Sequence, residues 1–266
     1  FELIRRQPFM DQGICHLNCI SIRSDADDRS EMISQLLFGE TFHILEERDQ
    51  WYLIYADFDH YEGWVLKIQV TLLPHEAYKQ IKADNSHYSR EMISLVGNSP
   101  EKMQIITLGA TLPCYSRGLF SLGAESLEFE GEVNSEKAGR KDLVRTAHKF
   151  LNTPFLWGGR SPFGIDCSGF TQMVYKINGY MLYRDAHQQA SQGEVLSFIE
   201  ESEPGDLAFF DNEEGEIIHV GILLANNHII HCHGRVRIDR IDHSGIYNVD
   251  SGRHTHKLRV MKRILE

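Results

Sequence analysis

From Ile14 to about Leu73 apolar and polar residues alternate over short stretches: Cys19-Ile-Ser-Ile-Arg, Met32-Ile-Ser-Gln-Leu-Leu-Phe, Thr41-Phe-His-Ile-Leu-Glu-Glu, Trp51-Tyr-Leu-Ile-Tyr and Gly63-Trp-Val. Asp, Ser and Gly cluster between them and no helical period intervenes, so the pattern predicts five short strands closing into a small barrel over residues 12–75. A short amphipathic segment, His75 to Ile81, leads into Lys102-Met-Gln-Ile-Ile-Thr-Leu-Gly-Ala-Thr-Leu-Pro and further short alternation up to Val133, which suggests a second, degenerate barrel at 84–136. The basic cluster Lys137-Ala-Gly-Arg-Lys marks a boundary and opens a helix from Asp142 to Leu151, with Leu143, Ala147, Phe150 and Leu151 on its inner face. A second helix starts at Cys167, where Phe170, Met173, Val174 and Ile177 repeat at the spacing of one buried face. Three strand-like runs follow, Leu207-Ala-Phe-Phe, His219-Val-Gly-Ile-Leu-Leu and His228-Ile-Ile-His. The last domain, 139–266, thus reads as helices packed on an antiparallel sheet, and the fold class as α+β.

Composition narrows the classes of function. The 266 residues allow two or three domains, and 27 basic against 38 acidic side chains leave a net charge of −11. Without a basic stripe, binding to nucleic acid is not expected, whereas cationic groups such as free amines are favoured. No apolar run approaches the roughly 20 residues of a membrane helix. The chain starts at Phe1 rather than Met, so an amino-terminal piece such as an export signal is expected to have been removed. Five cysteines at scattered positions do not form a disulfide framework, which leaves Cys167 as a free thiol.

Cys167 carries the candidate chemistry. It lies where the glycine-rich segment Pro154-Phe-Leu-Trp-Gly-Gly-Arg-Ser-Pro-Phe-Gly-Ile-Asp turns into the helix, and the unpaired amides and dipole of that first turn favour a nucleophilic thiolate. Asp166 is placed to cap the turn. A cysteine nucleophile needs a base and a group to orient that base. If the strands holding His219 and His231 pair as a hairpin through Ala225-Asn-Asn, the two rings come to the same end and can form a Cys, His, His chain. His231-Cys-His, with His228 nearby, also looks like a set of metal ligands. However, Cys232 would point away from the face shared by His231 and His233, and no metal or other cofactor is expected.

Two resemblances extend this reading. Arg23-Ser-Asp, Phe38-Gly-Glu, Trp51 and Tyr61-Glu-Gly-Trp-Val resemble a bacterial SH3-like domain. Pro154-Phe-Leu-Trp-Gly-Gly, Asp166-Cys-Ser-Gly-Phe, Pro204-Gly-Asp-Leu-Ala-Phe-Phe, His219-Val-Gly-Ile and Ile229-Ile-His-Cys resemble, in order and spacing, the NlpC-type cell-wall cysteine peptidases. The resemblance implies a papain-like cysteine peptidase domain preceded by two small SH3-like β-barrels, with Cys167 as nucleophile, His219 as base and His231 as the polar third member. It further implies the branch that cuts the γ-D-glutamyl-L-diamino acid bond of peptidoglycan stem peptides with a free amino-terminal L-Ala, releasing L-Ala-γ-D-Glu, and with it an exported enzyme of the periplasm or cell envelope, a cytoplasmic recycling role being the alternative; a monomer is expected.

Asp185, in Tyr183-Arg-Asp, matches the family position for the substrate amine, and Tyr61 and Glu31 of the first barrel are the matches for pocket closure. Trp157 would wall the site, and Asp166 and Ser168 would orient substrate. Each has a plainer role open to it: a capping box with Gln188 for Asp185, barrel packing for Tyr61, a solvated charge for Glu31, core packing for Trp157 and helix capping for Asp166 and Ser168. Phe155 stands where many relatives carry Tyr, and Ala186 where this branch tends to carry Ser. Competing classes are a papain-like amidase or acyltransferase and a non-catalytic wall-binding protein.

Overall fold

The computed structural model describes residues 11–123 and 125–265, so Ala124 and Glu266, inside two of the expected domain ranges, lie outside the described residues. The chain divides into two units. The first runs up to His87 and takes in Ser94–Ile106 and Ala110–Gly131; the second takes in Tyr88–Ile93, Thr107–Gly109 and the chain from Glu132 on.

In the first unit β1 (Gln12–Cys15), β2 (Cys19–Arg23), β3 (Met32–Leu37), β4 (Thr41–Arg48), β5 (Trp51–Ala56), β6 (Glu62–Leu66) and β7 (Val70–Leu72) make one antiparallel sheet, ordered β3-β2-β6-β5-β4-β1-β7. Alternation works as expected: Ile20 and Ile22 are buried while Cys19, Ser21 and Arg23 between them are half-buried. All seven strands send side chains into one core, among them Cys15, Ile20, Leu36, Phe42, Ile54, Val65 and Val70, so the sheet wraps around itself as an SH3-like barrel. The expected strands are β2 to β6; β1 and β7 are too short to show alternation in sequence. Helix α1 (His75–Ala83) lays Tyr78 against Ile14 and Leu73.

The next stretch carries β8 (Tyr88–Ser89), β9 (Ile93–Val96), β10 (Gln104–Thr107), β11 (Leu119–Leu122), β12 (Glu125–Glu128) and β13 (Val133–Asn134). These pair two by two, β8 with β13, β9 with β10 and β11 with β12.

The second unit opens with α2 (Arg140–Lys149), the small hairpin β14 (Arg160–Ser161) and β15 (Gly164–Ile165), then α3 (Cys167–Ile177) and α4 (Ala186–Gln189). Its sheet consists of β16 (Glu194–Leu196), β17 (Leu207–Asp211), β18 (Ile217–Leu224), β19 (His228–His233), β20 (Arg235–Asp242), β21 (Gly245–Asn248) and β22 (Arg253–Arg263), ordered β16-β22-β17-β18-β19-β20-β21. Because β22 also pairs with β21, the strands β17 to β22 close on themselves around Ala208, Phe210, Leu223, Ile229, Ile241 and Met261. Outside this sheet α3 packs on β18 and β19, and α2 packs on α3 with Phe150 edge-on to Phe170 at 5.9 Å. One helix end and two adjacent strands are thereby brought together, which is what a papain-like site requires.

Candidate active site

Cys167 is the first residue of α3, and Asp166 caps that helix by accepting from the Gly169 amide at 2.6 Å. The same carboxylate does more than cap. It also accepts from the Gly158 amide at 2.9 Å and takes a two-pronged contact from Arg184, whose Nη1 and Nη2 lie 3.1 and 2.6 Å from its two oxygens. Arg184 Nη1 donates in addition to Ser168 Oγ at 2.9 Å. Asp166 and Ser168 are both buried, and their polar atoms tie the Gly158 turn, the start of α3 and the Arg184 segment into one piece. Only glycine fits where this turn meets its neighbour: a Cβ on Gly169 would come within 2.3 Å of the Gly159 carbonyl oxygen. Cys167 as a whole is half-buried.

The histidines are assembled by strand register. Gly221 of β18 lies opposite His231 of β19, and Ile229 of β19 lies opposite Asp239 of β20. His219, His231 and Asp239 are therefore diagonal neighbours on one face of the sheet, the arrangement in which long side chains of adjacent strands meet. His219 Nε2 lies 2.9 Å from His231 Nδ1, and His231 Nε2 lies 3.1 Å from Asp239 Oδ2. Asp239 also accepts from Arg237 Nε at 2.7 Å, Arg237 Nη2 at 3.0 Å and the Val249 amide at 3.1 Å. Burial alone would raise Asp239, but the hydrogen bonds from His231, Arg237 and Val249 outweigh it and hold the carboxyl well below the usual range.

An ionised carboxylate only accepts, which sets every proton in the chain. His231 Nε2–H donates to Asp239, His231 Nδ1 accepts from His219 Nε2–H, and His219 Nδ1 keeps a lone pair for the thiol. The thiol lies beside this strand, since the backbone of Val220, the residue after His219, acts on Cys167 and favours its ionised form. The glycine of His219-Val-Gly-Ile has a role here too. A Cβ on Gly221 would sit 2.8 Å from His231 Cβ, in the space the imidazole needs.

The charge state differs from the thiolate expected of a helix end. Burial, then the adjacent Asp166 carboxylate, push the Cys167 thiol up to about 12, against the Val220 amide, the Arg184 charge and the Ser168 amide. Burial, then the rings of His231, His256 and His233, hold His219 well below the usual imidazole range. Desolvation outweighs the helix dipole, whose effect is about 0.3–1 kcal/mol where exposed. Thiol and imidazole rest uncharged at neutral pH, and such a pair transfers its proton during attack.

Asp185 stands at the start of α4, its amide donating to Gln188 Oε1 at 3.1 Å, as in a capping box. Arg184 anchors it on one side. On the other, Gln189 Nε2 donates to the Ser168 carbonyl at 3.0 Å and Gln189 Oε1 accepts from Thr171 Oγ1 at 2.7 Å, so Asp185 is fastened to the first turns of α3. Trp157, 60% exposed, and Phe155 lie on the loop before β14. Tyr61 and Glu31 belong to the first unit, where Tyr61 is half-buried with its amide on Asp59 Oδ1 at 3.2 Å, and Glu31 is exposed. Cys232 points away from His231, with its sulfur 3.2 Å from the Ile165 carbonyl. Sequence reasoning missed Asp239 and Arg237, which only the β19–β20 register brings under His231. It also missed Arg184, whose burial nothing in Tyr183-Arg-Asp announces.

Residues 152–255 match the model of the NlpC/P60 family, and residues 22–69 match that of the bacterial dipeptidyl-peptidase Sh3 domain. The chain is similar to the gamma-D-glutamyl-L-lysine dipeptidyl-peptidase of Bacillus subtilis, 31% identical over 216 residues that cover 74% of this chain and 71% of that one. It is 26% identical over 241 residues to dipeptidyl-peptidase 6 of Lysinibacillus sphaericus, covering 80% and 84% of the two chains. Among solved structures, an NlpC/P60 family protein from Bacillus cereus superposes with a TM-score of 0.80 over 96% of this chain and 100% of that one, at 18% identity, a likeness of fold.

Proposed function

The chain belongs to the NlpC/P60 family of cysteine peptidases, enzymes of the peptidoglycan of the cell wall, and on that footing we propose that it hydrolyses the γ-D-glutamyl-L-diamino acid bond of stem peptides bearing a free amino-terminal L-Ala, releasing L-Ala-γ-D-Glu. The observation that carries the reaction is the hydrogen-bonded run His219, His231, Asp239 beside the Cys167 helix end. Cys167 Sγ attacks the γ-carbonyl carbon of D-glutamate while its proton passes to His219 Nδ1. His231 and Asp239 stabilise the imidazolium so formed through the proton each holds or accepts. The first-turn amide of Cys167 donates to the developing oxyanion. Collapse breaks the C–N bond and the α-amine of the diamino acid leaves with the proton from His219. Water then gives a proton to the same nitrogen and cleaves the thioester, restoring the thiol.

The substrate assignment rests on the amine. The net charge of −11 favours a cationic peptide end, and Asp185, held against the first turns of α3, supplies a fixed carboxylate. We assign Trp157 to the wall of the same site, and Asp166 and Ser168 to holding its parts in place. Substrate of this kind occurs in the cell envelope, where we place the enzyme; no helix of the described residues is long and apolar enough to cross a membrane. Mass spectrometry of parallel digests of L-Ala-γ-D-Glu-L-diamino acid and its N-acetyl form tests the proposal. Rapid cleavage of the free tripeptide alone is expected, and equal rates would remove the amine from the account.

A further inference from the structure

Beside His219, His231 and Asp239 lie two further imidazoles that the reaction above does not use, His233 and His256, and of these His256 stacks on the base. His256 lies on β22, paired with Ile246 of β21, and its ring is stacked on His219 with centroids 4.2 Å apart and planes 27° from parallel. The other neighbours of His256 meet it near the perpendicular: His231 at 5.8 Å and 80°, His233 at 5.0 Å and 87°, Phe210 at 6.0 Å and 67°. Phe210 also meets the His219 ring, at 5.8 Å and 46°, as well as His256, so that the three rings form one cluster. His256 is anchored in turn by Nδ1, 2.9 Å from Thr255 Oγ1.

We propose that His256 is a positioning residue for the base: its neutral ring fixes the plane of His219 so that Nδ1 stays aimed for the thiol proton, and its π face stabilises the imidazolium that forms. The hydrogen bond from His219 Nε2 to His231 fixes one point of the base but leaves its ring free to swing about that bond. A parallel ring at 4.2 Å removes the freedom. An aromatic face next to a forming cation is also attractive, the more so away from water.

The arrangement requires His256 to be uncharged, and its surroundings keep it so. Burial, then His231 and His233, bring it down to about 4, with Asp239 the opposing influence. The titratable groups that face it are His219 from β18, His231 and His233 from β19 and Asp239 from β20. On its own strand Lys257 and Arg259 turn to Asp211 of β17 at 3.8 and 3.7 Å.

The inference rests on His219 being the base, so the test separates the two. His219→Ala should abolish turnover; if it does not, the base assignment fails and not the stacking. In the same protein, His256→Gln keeps the approximate volume and removes the ring, while His256→Phe restores a ring that cannot titrate. We expect His256→Gln to lower kcat about tenfold with KM unchanged, and to move the acid limb of the kcat/KM profile upward as water reaches the His219 face. His256→Phe should return both kcat and the acid limb close to wild type. Wild-type kcat and acid limb in His256→Gln, or a His256→Phe protein as impaired as His256→Gln, would overturn the inference. Should His256→Gln not fold, as judged by near-ultraviolet circular dichroism, His256→Phe decides alone: loss of activity in a folded protein refutes the role of the ring.

Discussion

Gly221→Ala probes the histidine run without replacing any of its members. The added Cβ would lie 2.8 Å from His231 Cβ and 2.8 and 2.9 Å from Ile229 Cδ1 and Cγ1, where ordinary contact begins at 3.4 Å. Relief needs a shift of about 0.6 Å, the difference between those contacts, shared between β18 and β19. His231 is fully buried and Ile229 belongs to the closed core, so neither can swing away, and much of the shift passes to the imidazole. If all of it appears in the His219–His231 contact, that bond lengthens from 2.9 Å to near the limit of about 3.5 Å at which it ceases to hold. The expected result is a loss of about 10–100-fold in kcat, as for other sub-ångström displacements in a catalytic group, and a cost of about 1–3 kcal/mol in stability from overpacking. KM should change little, since the contact lies behind the base. Steady-state assay of released diamino acid, with thermal melting on the same preparation, gives both numbers. A Gly221→Ala protein with lowered melting temperature but wild-type kcat would refute the view that the His231 position controls the base.

Asp239→Asn leaves the shape intact but removes the charge and puts an amide donor beside the remaining acceptor, so the protons of both histidines are no longer set, and kcat should fall by about 10²–10⁴, read in the same assay with circular dichroism confirming the fold. Arg184→Met leaves the buried Asp166 carboxylate without its two-pronged partner; destabilisation of about 3–5 kcal/mol in urea titrations is expected, and a change below 1 kcal/mol would show that the clamp is not structural. Because His219 is held neutral in the folded protein, its unfolded form alone gains a proton below about pH 6.5. The stability it confers is complete above that pH and declines as pH falls. Asp239, depressed in the fold, adds a second loss that starts as pH falls below about 3.8, so melting temperature should drop from pH 7 to 5 and again below 4.

Much of this site is legible in sequence because its local part is local physics. The helix start at Cys167, its Asp166 cap and the inward face Phe170, Met173, Val174 and Ile177 need only neighbouring residues, and all appear in α3. The hairpin that joins His219 to His231 also follows from turn residues and strand length. Asp239 is different. It sits in Arg235-Val-Arg-Ile-Asp-Arg, a strand whose charged positions look solvated until the β19 register turns one of them under His231. His256 was hidden for the same reason, since it belongs to a long strand with much of its length exposed, and only closure of β22 against β21 and β17 carries it to the base. Burial and the Asp166 carboxylate both act on the charge of Cys167, and of the two only Asp166 is visible in the sequence.

The central claim is a thioester between Cys167 and the L-Ala-γ-D-Glu half of the substrate. Rapid acid quench of wild-type enzyme with L-Ala-γ-D-Glu-L-diamino acid, followed by intact-mass and peptide mass spectrometry, tests it directly. The account predicts an adduct of the acyl dipeptide on the peptide containing Cys167, absent from Cys167→Ala, which should still bind the substrate. An adduct on any other residue, or turnover by Cys167→Ala, would contradict it.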